Sequence, residues 1–382
     1  GNRSASHAYE PGSGSTIMGY AGICSSENIQ PNSDDYMHWD SIINIWAWRN
    51  NSSSGGSEVS NGNTPPTAEA GPNYTIPQGT PYKLTGSGTD ANGDALTYCW
   101  EQADLGSSTT SPTQYSTGPL VRSLKPTTSP VRFIPKIQTV INNTTDNWEK
   151  LPNTNRNLNY RLTVRDNRSG GGNYAMDTMT ITVSGSPFQV TAPNTNVTLS
   201  GGSTTTVTWN VGGGSVASNV RILLSTNGGL SYGDGTATVL VASTPNDGSE
   251  VVTLPNINST TCRIIVEAVG NIFYDMSNTN FTITASSNPA PVLTSISPAS
   301  KEALSGAFTL TVNGSNFVNG SVVRWNGSNL TTTYVNSTQL TATVPAANLN
   351  NVGSFPITVF TPAPGGGTSS AVNFQVTPIT VA

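Results

Sequence analysis

The chain has 382 residues, of which 35% are hydrophobic and only 10% charged, with 16 Lys and Arg against 21 Asp and Glu for a net charge of -5. This excludes a membrane helix, since no apolar run approaches ~20 residues, a basic nucleic-acid surface and a heptad-patterned coiled coil. Trp 7, Tyr 12 and Phe 9 are spread along the sequence, which argues against disorder, and the turn-rich, low-charge composition fits extracellular all-β domains.

Residues 1–49 form a first block with a dense apolar set: Ile17, Met18, Tyr20, Ile23, Trp39, Ile42, Ile43, Ile45, Trp46 and Trp48. Trp39, Ile42, Ile43 and Trp46 follow helical spacing, with Asp40 or Ser41 as the expected helix start. A segment this short does not bury such side chains alone. It needs a partner surface: the next domain, a neighbouring subunit or a separate polypeptide half. Residues 50–63, rich in Asn, Ser and Gly, read as a linker.

Residues 64–185 carry alternating strand patterns at Tyr82 to Thr85, Ala95 to Trp100, Asn159 to Val164 and Met179 to Val183. Residues 186–286 add Thr206 to Val211, Val220 to Ser225, Glu250 to Leu254, Arg263 to Ala268 and Phe281 to Thr284. That spacing, with Trp209 inside, predicts an Ig-like sandwich. Residues 291–377 contain strand patterns from Val292 to Ser297, Phe308 to Val312, Val322 to Trp325, Gln339 to Val344, Phe355 to Val359 and Ala371 to Val376. A tail, 378–382, follows, and no Gly or charge opposes strand pairing at Ile379 and Val381. The fold class expected is all-β, with tandem sandwiches after a short irregular or helical segment.

Asp90, Asn92 and Asp94 place oxygen atoms at alternate positions, with Asp166 as a further donor, the pattern of a candidate calcium loop. The same residues also build Asx turns through their own backbone. Fifteen Asn-x-Ser/Thr sequons occur, among them Asn73, Asn196, Asn258, Asn313, Asn326 and Asn336. They mark candidate sites for covalent glycans, although the abundance of Asn, Ser and Thr accounts for most of that number. O-linked sugar fits the Ser/Thr-dense stretch from Ser107 to Thr117. Trp148 and Trp325 are candidate carbohydrate contacts, but a Trp in a strand pattern more commonly belongs to a core. Cys24, Cys99 and Cys262 cannot all pair within one chain.

The run Tyr9 to Cys24, with Thr16-Ile17-Met18-Gly19-Tyr20 at its centre, resembles the Met-turn of secreted bacterial reprolysin-like zinc metalloproteases, the metzincins. Glu27 to Gln30 and Ser33 to His38 are similar to the same family. The resemblance implies that Met18 is the Met-turn residue and that the first block is a metzincin C-terminal remnant. In the family, a His-Glu-x-x-His motif upstream holds the catalytic zinc and supplies the general base. This chain has no such motif, and its two histidines, His7 and His38, match none of the ligand positions. The expectation is therefore no catalytic residue in this chain and no certain cofactor, with calcium as the one candidate metal. Cys24 is expected to have lost an intradomain partner, and Met18 to be an ordinary core residue.

Thr67 to Pro72, Gly88 to Trp100 and Leu162 to Asn167 resemble a PKD/cadherin-like module. The block at 186–286 is similar to the Ig-like module of the same proteases. Ile296-Ser297-Pro298, Val312 to Phe317 and Val323 to Gly327 resemble an IPT/TIG domain. These resemblances imply a secreted or cell-surface protein. The chain opens on Gly1 without a charged-then-apolar leader, as a processed chain or part of a longer one would.

The function expected first is a non-catalytic structural subunit of a surface or extracellular filament, assembled head to tail. Its assembly residues would be Ile17, Tyr20, Trp39, Ile42, Ile43, Trp46, Trp48, Ile379 and Val381. The alternatives are the accessory or targeting part of a secreted zinc metalloprotease, paired with a cleaved N-terminal catalytic half, and an adhesin that binds glycans or proteins.

Overall fold

A computed structural model describes residues 4–51, 60–106, 116–213 and 216–380. Val381, most of the Ser107 to Thr117 stretch and much of the 50–63 linker lie outside the described residues. The chain divides into two compact units. The first comprises residues 1–199, 204–254 and 259–282; the second comprises 200–203, 255–258 and 283–382.

The first sandwich is organised by a ten-residue hairpin. Strand Arg156–Arg165 pairs along its length with Tyr174–Val183. Leu158, Tyr160, Leu162 and Val164 alternate onto one face and are buried, as a period of two dictates. Thr97–Gln102 pairs with the outer side of the first strand, and Tyr74–Ile76 pairs in parallel with the second. A two-stranded sheet, Tyr82–Thr85 with Val131–Ile134, accompanies them. The two layers are joined by the Tyr82 and Tyr160 hydroxyls, 2.7 Å apart. Between them lies a buried ion pair, Arg132 with Glu149 at 3.0 Å. Arg132 also donates to the carbonyls of Trp100 and Arg122, and Glu149 accepts from the Lys136 backbone. Buried charge is tolerated when it is saturated in this way.

The second sandwich follows without a flexible joint. Lys83 N–H donates to the Ile272 carbonyl, and Tyr274 N–H donates to that of Pro81, so Tyr82 bridges to Phe273 as in a sheet. The short helix Ile137–Ile141 supplies Ile137, Val140 and Ile141 on one side, the spacing of a helical face. With Phe133 it packs on Leu223, Tyr232, Ile265, Tyr274 and Met276 of the following sandwich. The Phe133 ring lies edge-on to Tyr232 at 5.7 Å and to Tyr274 at 5.9 Å. Lys83 reaches Glu267 at 3.2 Å, and Arg221 binds the same carboxylate. The two sandwiches thus share one apolar core.

In this second sandwich one sheet has the strand order Thr238–Pro245, Asn219–Ser225, Ser259–Ala268, Phe281–Thr284 and Thr198–Ser200, with Tyr274–Met276 paired to Ser259–Ala268. The other has Ser249–Thr253, Thr204–Val211 and Phe188–Ala192. Trp209 is buried, its indole donating to Asn246 at 2.7 Å. Asp275 ties the sheets together, because its carboxylate accepts the Val190 N–H at 2.7 Å. Burial raises the Asp275 pKa to about 7, against the hydrogen bonds from Val190 and Met276 that favour the anion. The folded protein therefore takes up a proton where the unfolded chain is already ionised. Stability is expected to fall as pH rises from about 4 to about 7 and to level off above, by linkage. Asp275→Asn should flatten that part of a denaturation-midpoint profile against pH.

The second unit carries another sandwich. Its sheets are Val292–Ser297, Phe308–Ser315, Gln339–Val344 and Thr331–Asn336, and Ser300–Glu302, Val372–Thr377, Gly353–Thr361, Val322–Trp325 and Ser328–Asn329. Its core gathers Leu310, Val312, Val323, Trp325, Ile357, Val359 and Phe374. Trp325 is packed against Phe355 and Phe374, which removes it as a carbohydrate platform. Gly314 sits at a register shift of the first sheet; a Cβ there would lie 1.9 Å from the Val292 carbonyl oxygen.

Candidate interaction surface

The first block has little core of its own and is braced by polar contacts. Glu10 accepts from Ser15 N–H at 2.8 Å and from the Thr16 hydroxyl at 2.7 Å. Asn28 accepts from the backbone of Gly22 and Cys24. Gly22 has φ +90°, and a Cβ would lie 2.0 Å from the Pro31 oxygen, so only glycine closes that turn. The helix runs Trp39–Arg49 and begins earlier than the Asp40 or Ser41 expected. His38 is its N-cap, the ring Nδ1 accepting from Asp40 N–H at 3.3 Å.

One face of this block docks on the first sandwich. Glu101, 0% exposed, is the centre of the contact. Its carboxylate accepts Trp39 N–H at 3.0 Å and the Ser123 hydroxyl at 2.5 Å, and His38 Nε2 lies 3.7 Å away. Tyr36 donates to Ser123 at 2.6 Å, and burial pushes its phenol well above the usual range. Arg161 lies over the Trp39 ring at 4.2 Å, and Arg165 donates to the Met37 carbonyl at 2.9 Å. Arg122 binds Gln30 and approaches Asp34 at 3.7 Å, while Lys125 pairs with Asp35 at 2.6 Å. Trp148 is half-buried beneath Gly12, where a Cβ would meet the indole ring.

Trp39, only 6% exposed, is therefore covered by its own chain. Its assignment as an assembly residue is corrected: the cation-π contact and the Glu101 bond hold it inward. Ile42 and Trp46 are half-buried, and Trp46 contacts Tyr174. The rest of the block's surface is open, with apolar side chains on more than one side of the helix. Ile17, Met18, Tyr20 and Ile23 on the loop, and Ile43, Ile45 and Trp48 on the helix, are all exposed. Met18, expected in a core, is 65% exposed, because the turn that carries it faces away from the sandwich; Ile23 and Trp48 reach 77% and 70%. These are seven of the twenty large apolar side chains exposed among the described residues. Single exposed apolar residues are ordinary, whereas a concentration of them marks an interaction surface. Ile379 is exposed far along the chain.

The other candidate residues are placed as follows. Asp90 accepts the backbone N–H groups of Asn92 and Asp94, Asn92 accepts that of Thr64, and Asp94 pairs with Arg168 at 3.3 Å. Asp166 accepts from Asn63, Arg168 and Asn173, and these hydrogen bonds hold its pKa down although burial opposes them. Asx-turn bonding accounts for that spacing. No group of three His, Cys, Asp or Glu side chains among the described residues could hold a metal ion. Both histidines have partners, His7 with Asp40 at 2.8 Å and His38 as above. Asn73, Asn196, Asn258, Asn326 and Asn336 are exposed, and Asn313 is half-buried. None of the three cysteines forms a disulfide with another; Cys99 and Cys262 are buried and Cys24 is partly so.

The docking face was missed in the sequence because its carrier, Glu101, is one acid at the end of a strand pattern. Its partners are 62 residues back and 22 residues on. The only available signal was the demand of an apolar block for a neighbour.

Comparison with known proteins identifies residues 291–376 as an IPT/TIG domain. No curated protein matches the chain. Among solved structures, the chain is similar to the Bacteroides ovatus mixed-linkage glucan utilization locus protein SGBP-B in complex with a mixed-linkage heptasaccharide. Identity is 15%, coverage 83% of this chain and 71% of that one, and the TM-score 0.18. It is also similar to the I9-I11 tandem of titin (11%, 82% and 100%, TM-score 0.25) and to fibronectin(III)-like modules of Clostridium thermocellum CbhA (10%, 50% and 93%, TM-score 0.19). At these TM-scores no property of those proteins passes to this chain. The chain is an all-β array of tandem sandwiches, and no helix among the described residues is long and apolar enough to cross a membrane.

Proposed function

We propose that this chain is a non-catalytic extracellular structural protein, and that the open face of its first block seats on a second copy of the chain. One observation carries the reading: among the described residues, seven of twenty exposed large apolar side chains lie in this one small block, which is held on a sandwich through Glu101 and Trp39. The occupant proposed is another copy because these exposed groups are apolar and the chain is low in charge, with only 10% charged residues. A contact between this block and a different surface of the next copy is heterologous. Such contacts close into rings or propagate as filaments, and propagation gives the head-to-tail subunit expected from the sequence.

The test is sedimentation velocity over a hundredfold concentration range, with Ile23→Lys and Trp48→Lys as variants. The wild-type chain should associate as concentration rises. Each variant should stay monomeric with an unchanged melting temperature, since both side chains already stand in solvent. A wild-type chain that remains monomeric throughout would refute the proposal.

A second reading rests on Met18. A Met-turn resemblance with its methionine in solvent suits a block covered by the catalytic half of a metzincin, which would make this chain the accessory part of a secreted protease. A stoichiometric complex whose second polypeptide carries a His-Glu-x-x-His sequence by mass spectrometry would favour that reading. No specific observation favours the adhesin.

A further inference from the structure

The first sandwich contains a cleft of about 220 Å³, bordered by Phe133 and Ile137 of the shared core and by Lys125 of the docking contact. Tyr98, Trp100, Val131, Phe133 and Ile137 give it an apolar lining. The walls are fixed. Tyr98 exchanges backbone hydrogen bonds with Thr127 at 2.7 and 3.1 Å, which closes the 124–129 segment over one side. Phe133 is held edge-on against the Tyr232 and Tyr274 pair on the other.

The charged side chains that line the cleft are all cations. Lys125, Arg132 and Lys136 line it, and no acid does. Arg132 is spent on Glu149 and two carbonyls, and Lys125 on Asp35. The Lys136 ammonium has no hydrogen-bond or ion-pair partner among the described residues, although its backbone N–H donates to Glu149. A half-buried cation beside aromatic walls favours a ligand that brings one negative charge on an apolar body, since a charge-assisted hydrogen bond is the stronger kind. The volume is below the ~300–1,000 Å³ of drug-sized sites, which limits that body to about one ring. Cys99 also lines the cleft, but its thiol donates to the Leu124 carbonyl at 3.3 Å and burial pushes its pKa well up, so it is no nucleophile.

We propose that this cleft binds a small free aromatic monocarboxylate, the ring between Tyr98, Trp100 and Phe133 and the carboxylate at Lys136. Binding would be reversible and independent of the open apolar face of the first block.

Isothermal titration of the full chain with phenylacetate tests this, with phenylacetamide and acetate as the neutral and ringless comparisons. Saturable 1:1 binding is expected. Phenylacetamide binding to wild type and phenylacetate binding to Lys136→Gln should each be weaker by about tenfold or more, the range of a lost hydrogen bond to a charged group. Thr127→Trp, placed at the exposed rim, should abolish binding while the melting temperature stays within a few degrees. Absence of saturable phenylacetate binding would overturn the proposal. So would equal affinity for acid and amide, or binding unchanged in Lys136→Gln. A Phe-terminated tripeptide binding more than tenfold tighter than phenylacetate would overturn the free-molecule assignment and place polypeptide ends there instead.

Discussion

Glu101→Ala is expected to release the first block from the sandwich that carries it. Glu101 is fully buried and serves Trp39 N–H and the Ser123 hydroxyl while facing His38. Removing the carboxylate leaves these polar groups without their partner in a site closed to water. Leaving a buried donor unsatisfied costs about 1–3 kcal/mol per group. The block has an alternative to bearing that cost, because it can peel away and hydrate those groups. The sandwiches should then melt close to the wild-type temperature, while amides of Trp39 and Ile42 exchange with solvent much faster. Protease should cleave between Tyr36 and Arg49 in the variant and not in the wild type. Glu101→Gln keeps an acceptor and should fall between the two. Unchanged exchange at Trp39 in Glu101→Ala would show that the block is held by something else.

Tyr232→Ala should uncouple the first two sandwiches. Its buried ring packs on Phe133 and on Tyr274, whose centroid is 4.7 Å away, and Lys83 lies over its face at 5.1 Å. Deleting a buried aromatic ring costs about 3–5 kcal/mol and leaves a cavity. The cavity falls in the core that both sandwiches share, so the loss is felt as coupling as well as local stability. The wild-type unit is expected to melt in one calorimetric transition, and Tyr232→Ala in two. Tyr232→Phe, which keeps the ring, should retain a single transition. A single transition in both variants would mean that the sandwiches are not joined through this core.

Strand content was legible because half-buried strands write their period into the sequence. Asn159 to Val164 became the centre of Arg156–Arg165, and Thr206 to Val211 became most of Thr204–Val211. The helix of the first block was legible from Trp39, Ile42, Ile43 and Trp46, but its start was not, because His38 caps it in place of the usual Asp or Ser. The junction between the first two sandwiches was illegible. Ile137–Ile141 is only five residues long and Phe133 belongs to a four-residue strand, too short for a period to show. Their partners, Tyr232 and Tyr274, are about a hundred or more residues away. The exposed face of the first block was half legible. Its excess of apolar side chains was plain in the sequence, but which of them turn inward depends on Glu101 and Arg161, and nothing local marks those two as partners of Trp39.

The most direct measurement is electron microscopy of the purified chain at rising concentration, with Ile23→Lys prepared in parallel. The proposal predicts particles that lengthen by end-on addition of copies in the wild type and single copies throughout in the variant. Single copies in both, or identical multimers in both, would contradict assembly through the open face of the first block.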